Sequence, residues 1–584
     1  MEMDFAVYVY TRIFYYIYRK IIYMDRRAFL AAGHQMLSNP TPSFTNDSTR
    51  VLSGIRLYSG PWTSREVIHL LRRTMFGAKK SDVDFFSGMN LSQAVNYLLS
   101  VPSSQPEPPL KTYANSTTPG DPDAAIPAGN SWVNINTTDG GINSQRRQSL
   151  KNWWIGLMIN QERNIREKMV LFWHNHFATE MQDIGTGIWC YNNNLTQRTH
   201  ALGNFKTFVR AVTLDPGMLR YLNGYVNTKT APDENYGREL QELFTVGKGI
   251  NNATPPYIED DVKAAARVLT GWSIDSNTNT PVFTISKHDT NNKQFSTYYN
   301  NSLIAGRSGT DAGLLELDDM LNMIFASPDV AMNICRKLYR WFVYYDIDAS
   351  AEANVIQPLA TIFRNNNYEI LPLISALLKS EHFYDVLNQG CMIKSPSDSV
   401  AGLCREFGVE FPVVTDITNN YFMWQYLQGI AKSVQQDIGD PPSVAGWQAY
   451  YQAPQYSELW INSDTLPKRI QFSDLMNANG YSRSGKTIKI DQTIFAGSMP
   501  DPGNPAKLIE DSIRYLLPLP LTQTSRDQLK KDILLGGQDN DSYWTTAWNT
   551  YKTNPGDTAN TSIVKTRLAS LYQYLLRLAE YQLS

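Results

Sequence analysis

Cysteine is scarce in this chain. The four residues in 584, Cys190, Cys335, Cys391 and Cys404, include no CxxC or other metal-ligand spacing. That excludes a dense disulfide framework, although Cys391 and Cys404 could pair, and the count fits either redox compartment. Histidine is scarce too, at 7 residues. Charged residues are only 18%, below the usual quarter or so, and Asn, Gln, Ser and Thr carry the polar burden instead. Lys and Arg (53) nearly balance Asp and Glu (55), for a net charge of −2. The cations are scattered, so there is no electrostatic footprint for nucleic acid. Residues 5–23 are apolar and aromatic, but Arg12, Arg19 and Lys20 interrupt them. Central cations are costly in lipid, so no integral membrane domain is expected in the mature chain. A Gly-x-Ser-x-Gly elbow, a Walker loop, a Rossmann glycine fingerprint and a His-Glu-x-x-His helix are all missing from usable contexts. This argues against the commonest serine-hydrolase and nucleotide-binding classes, and no nucleotide cofactor is expected.

What is present is a large stock of core-forming residues, 42% apolar and 12% aromatic. The 13 Trp and 33 Tyr suit a saccharide-binding surface, or more ordinarily the core of a large helical domain. Met24-Asp25-Arg26-Arg27 followed by Phe29-Leu30 resembles a twin-arginine export signal, which implies translation from Met24 and a periplasmic or extracellular location; the alternative is a membrane-proximal anchor. Residues 1–60 read as leader and linker, 61–475 as the main domain and 476–584 as a helical extension packed on it. Periodicity predicts a mainly α fold. Thr63-Ser64-Arg65-Glu66 is a capping box that opens a helix, and 144–177 hold two strong helices. The Pro/Gly/Asn-rich stretch 101–143 reads as a surface excursion. Alternation in 281–297 predicts one small β-hairpin.

Three groups of residues are candidates for chemistry. In 232–272, Asn235, Arg238, Glu239 and Glu242 recur at i, i+3, i+4 and i+7, so a regular helix puts them on one face. Glu-x-x-Glu places carboxylates on adjacent turns, fit for metal binding or acid–base work, though charge on a helix is more often a solvated face. His174-Asn175-His176 is the second group. Histidine nitrogens with a carboxylate suit Zn, Mn or Fe, which makes His174, His176 and Glu239 the expected ligands; in a continuous helix, however, i and i+2 diverge. The third is His288-Asp289 with Lys293, expected at the hairpin tip, where Asp orients His and Lys steadies an anion. An ordinary polar turn is the plainer reading. Trp173, Trp272, His69 and Arg72 are the expected substrate-binding side chains.

Several segments occur together in order: HLLRRTMFG (69–77), REKMVLFWHNHFAT (166–179), LDPGMLRYLNG (214–224), NYGRELQELFTVGKG (235–249), DVKAAARVLTGW (261–272), HDTNNKQF (288–295) and PPSVAGWQAY (441–450). This order resembles the bacterial family called domain of unknown function 1800, over about residues 65–475, and the closing RLAEYQLS resembles Bacteroidetes-type members. The resemblance implies an exported protein and a partner from the domain-of-unknown-function 1501 family, whose members look like sulfatase or alkaline-phosphatase relatives. It supplies no activity to carry over. Gly237 departs from the family's usual Ala, and Asp289-Thr290-Asn291-Asn292 lacks the usual Gly-containing turn. The functional expectation is a metal-assisted hydrolase acting on an extracellular polymer or ester, carbohydrate being one such polymer, with Glu239 or Glu242 as base and Arg238 and Lys293 as anion stabilisers. The competing expectation is a non-catalytic binding or scaffold protein of the envelope.

Overall fold

A computed structural model describes residues 53–249 and 255–584; the export-like segment lies outside these. Among the described residues helices dominate, and the strands form three two-stranded hairpins, with isolated bridges besides. The Ser64–Thr74 helix begins with the expected capping box, in which the Glu66 carboxylate accepts from the Thr63 amide at 2.9 Å. At the centre lies the Arg166–His176 helix, with every residue from Glu167 to His176 buried. A helix buried on all sides has to be wrapped by others. The Gly187–His200 helix is fixed to it by a bidentate Arg198–Glu167 pair at 2.5 and 2.8 Å. The Pro328–Phe342 helix packs Trp341 on Phe172, ring centroids 5.4 Å apart. The adjacent Gly140–Ile159 helix packs along Ile417–Ser433. Gly156 makes this close approach possible, because a β-carbon there would lie 2.7 Å from the Trp424 ring.

The small β-component is split. Trp272–Asp275 pairs with Thr280–Phe283, and Lys293–Gln294 pairs with Leu303–Ile304. Residues 281–297 therefore supply the second strand of one hairpin and the first strand of the next. His288 and Asp289 lie between the two hairpins and are buried, so they are not at a tip. The C-terminal helices pack on the main body: Arg577 pairs with Asp474 at 2.7 Å, the Lys394 amide donates to the Gln582 carbonyl at 2.8 Å, and Tyr581 donates to Glu406 at 3.1 Å. All four cysteines are buried and outside any disulfide, so the Cys391–Cys404 pairing does not form; the Cys391 thiol instead lies against the Asn388 carbonyl at 3.2 Å. Among the described residues no helix is long and apolar enough to cross a membrane.

The 101–143 stretch is more than a surface excursion, because a buried ionic knot pins it. Asp123 is fully buried and holds Lys111 at 2.7 Å and Arg146 at 2.8 Å. Burial pushes its pKa up, but the hydrogen bonds from Lys111 and Arg146 outweigh that and leave it below the usual value. Removing one partner strands two buried cations. We expect Asp123→Ala to cost about 3–5 kcal/mol, measured as a lowered melting temperature with new proteolytic cleavage inside 101–139. An unchanged melt would show that the knot is dispensable.

Candidate functional site

The Arg166–His176 helix ends in three consecutive polar side chains that reach three different parts of the chain. His174 packs edge-on against Trp154 and Trp447, centroids 5.2 and 5.7 Å away. Burial lowers its pKa to about 4, against the pull of Asp440, so the ring is neutral near pH 7. Asn175 accepts the backbone amide of Trp447 at 2.9 Å. Gly446 makes this approach possible: its φ is +87°, and a β-carbon there would lie 2.3 Å from the Asn175 oxygen. His176 touches the Phe244 carbonyl through Nε2 and the Lys337 ammonium through Nδ1, both at 3.1 Å. An ammonium can only donate, so Nδ1 accepts and Nε2–H donates to Phe244. Burial, reinforced by Lys337, holds the His176 pKa well below its ordinary value.

Glu239 sits where regular helix gives way. The Glu234–Glu239 helix passes directly into a π-turn, Leu240–Phe244. Such turns leave carbonyls to be satisfied from outside. Here Lys337 donates to Leu243 at 2.7 Å, His176 to Phe244, and Asn333 to Thr245 at 2.8 Å. Gly237 lets this segment lie against the Glu259–Val268 helix, since a β-carbon would be only 3.1 Å from the Ala266 nitrogen. One carboxylate oxygen of Glu239 is buried without a hydrogen-bond partner. Burial, then the charge of Glu242, lifts the Glu239 pKa to about 7, against Lys248, Arg238 and Lys337. Lys337 is brought down to about 7 by burial and by Arg340, with Glu239 opposing. The Tyr257 hydroxyl is buried and unpartnered; its pKa is raised by burial and then by Glu242 and Glu239. Tyr221 lies within the field of Glu239 and donates to Glu180 at 3.4 Å.

Other expected members lie elsewhere. Asn235 is exposed, and Arg238 is spent on Glu259 at 2.9 Å and Glu234 at 3.3 Å. Glu242 pairs with Lys248. The single stripe expected for these residues therefore breaks up: the helix turns to π geometry after Glu239, which alone keeps a carboxylate without a cation in contact. Trp173 is wholly buried, donates to the Ala201 carbonyl at 2.8 Å and stacks on Phe205, so it cannot wall a substrate pocket. Trp272 is buried against Phe283 at 5.2 Å. His288 places Nδ1 2.9 Å from the Thr270 carbonyl and Nε2 3.2 Å from Glu316. Lys293 pairs with Glu316 at 2.5 Å, and Asp289 with Arg267 at 2.6 Å. His288 and Lys293 tie the hairpins to the Ala312–Ala326 helix, Asp289 ties them to the Glu259–Val268 helix, and none of the three joins Glu239. His69 and Arg72 line a separate cleft. Nor do His174, His176 and Glu239 form a ligand set, because both His176 nitrogens are engaged and His174 faces two indoles. Among the described residues no group of three or more His, Cys, Asp or Glu could hold a metal ion.

The model of the family described as "Protein of unknown function (DUF1800)" matches residues 69–583. The chain belongs to this family. The match runs across the boundary expected near 475, so the C-terminal helices are part of what the DUF1800 family model describes. No curated protein and no solved structure matched the chain. Within this DUF1800 chain, the sequence reading missed Lys337, Tyr257 and Tyr221. Lys337 lies in a helix with Arg336 and Arg340, and spacing alone does not say which cation turns inward.

The raised Glu239 pKa has a consequence for stability. Its carboxyl ionises from about 4.5 unfolded and about 7 folded, so ionisation opposes folding. That cost begins as pH rises through the lower value and is complete above the higher one. Glu239→Gln removes it. The variant is expected to melt higher than the parent at pH 8 and level with it near pH 4. A variant less stable than the parent at pH 8 would refute the strained carboxylate.

Proposed function

We propose that the protein is an exported hydrolase in which Glu239 and Lys337 are the acid–base pair, acting on an ester or glycosidic bond of an extracellular substrate. The observation that carries this reading is the Glu239 carboxylate, with one oxygen buried and unpartnered and a pKa near 7, within the field of a lysine also brought near 7. Perturbed groups of opposite type in one place mark functional sites more often than frame residues, and pKa values near the working pH suit proton transfer in both directions. The Met24–Leu30 segment supports export.

In this mechanism Glu239 takes a proton from water as the water oxygen bonds to the electrophilic carbon. Lys337 gives a proton to the departing oxygen as its bond to that carbon breaks. Two of the three ammonium protons are committed to His176 and Leu243, which leaves the third for this step. Neutral His176, locked by Phe244, is a positioning residue for Lys337. Tyr257 supplies a hydroxyl able to steady the developing oxyanion. The reading needs no metal at Glu239.

A panel of 4-nitrophenyl esters and glycosides tests it. Turnover is expected for at least one class, with kcat/KM passing through a maximum near pH 7, because Glu239 must be ionised and Lys337 protonated. Glu239→Gln should lower it by roughly 10²–10⁴-fold while remaining folded. Full activity in that variant, or no turnover across the panel, removes the proposal.

A further inference from the structure

A cleft of about 310 Å³ is lined by neither residue of the proposed acid–base pair. The Ser64–Thr74 helix, Gln389, the Pro505–Leu516 helix and the proline-rich segment after it form its walls. Among the described residues, Arg65, Arg72, Arg514 and Arg526 line it, with Glu510 and Ser584 also at its wall. Glu510 is shared between Lys507 at 3.0 Å and Arg514 at 3.7 Å, and Arg514 also reaches Asp511 at 2.9 Å. The remaining surface includes Ile68, Ile513, Leu517 and Leu519.

Arg72 is the telling residue. It is 3% exposed, it gives one nitrogen to the Tyr515 carbonyl at 2.9 Å, and its Nε is buried with no partner. Burial lowers its pKa, and the charge of the buried Glu406 opposes that without reaching ion-pair distance. A guanidinium held out of water in this way is costly unless something completes it. Behind it lies a water-sized cavity of about 20 Å³ that Arg73 and Lys168 also line, with Asp398 on Lys168. His69, beside Arg72, is buried and bound to the Phe383 carbonyl at 2.9 Å. Burial and Arg73 hold it neutral, so it adds polarity without adding charge.

We propose that this cleft binds a small organic anion, a phosphate, sulfate or carboxylate group on an apolar body, with Arg72, Arg514 and Arg526 around the charged group and Ile68, Ile513 and Leu519 along the body. Guanidinium forks match such oxygens in pairs. The volume lies at the low end for ligand pockets, enough for a single ring or a short chain. The site is independent of Glu239 and shares no residue with it.

Calorimetric titration of the full chain tests the proposal, with phenyl phosphate as probe and inorganic phosphate and benzyl alcohol as its two halves. Saturable binding of phenyl phosphate is expected, weakening as salt rises. Each half alone should bind at least about tenfold more weakly. Arg514 and Arg526 are not core residues, so Arg514→Gln with Arg526→Gln should keep the fold, checked by melting, and lower affinity about tenfold or more. Leu519→Glu should do the same by placing a like charge along the body. Glu239→Gln should bind as the parent does. Absence of saturable binding, equal binding by inorganic phosphate, or undiminished binding in both cleft variants overturns the proposal.

Discussion

Asn175 accepts the Trp447 amide while its neighbours His174 and His176 point to a pair of indoles and to the open end of the π-turn. Three consecutive residues thus join the central helix to the 439–447 loop and to the segment that carries Glu239. Successive helical side chains point in different directions, so a polar triplet at a buried helix end can hold three neighbours, whereas it cannot put two of its histidines on one ion. The geometry that makes the triplet a joint also keeps it from being the metal site its letters suggest. The alternative would have required unwinding near Trp173, and Trp173 is locked among Phe177, Phe205 and Phe208.

The joint has an electrostatic consequence. The π-turn presents carbonyls at Leu243, Phe244 and Thr245, and three donors converge on them. One donor is Lys337, drawn inward by that need. Burial lowers its affinity for a proton, and the same surroundings raise that of Glu239. Each group would be comfortable if the other were in contact, yet no ion pair joins them within 4.0 Å among the described residues, while Glu242 takes Lys248. The pair is therefore held near neutrality by architecture, at a cost to stability. Such a cost persists where the surroundings over-determine the geometry, and functional sites are where it is usually found.

Much of the fold is legible in the sequence. Apolar spacing located the main helices, and Thr63 with Glu66 marked the first described helix start to the residue. The β-hairpin is misplaced because alternation in 281–285 identifies a strand without naming its partner, which is Trp272–Asp275. The stripe on 235–242 was read with a period of 3.6, which the π-turn breaks after Glu239. His288, Asp289 and Lys293 were recognised as a set, but their burial depends on Glu316, Arg267 and Thr270, residues no local pattern singles out. Glu239 was legible as a candidate; Lys337 was not, because its role follows from an unsatisfied carbonyl 94 positions away.

The segments that mark the family prove to be mostly frame. Asp261 is an example: fully buried, it accepts the Ile258 amide at 2.9 Å and the Ser296 amide and hydroxyl at 2.7 Å, which fixes a helix start and a hairpin with one carboxylate. Asn175, His176, Arg267 and His288 act in the same manner. A polar side chain used this way turns its donors and acceptors to neighbouring elements, which is what a buried polar group requires. It follows that the chemically informative residues are those left incomplete. Among the buried side chains left incomplete are the Glu239 carboxylate with the Tyr257 hydroxyl, and the Arg72 guanidinium at the wall of a cleft. One is an uncommitted acid within a field of cations, and the other an uncommitted cation at a cleft of arginines. Their partners of opposite sign are the natural completion of each: a substrate proton for the first and an anion for the second.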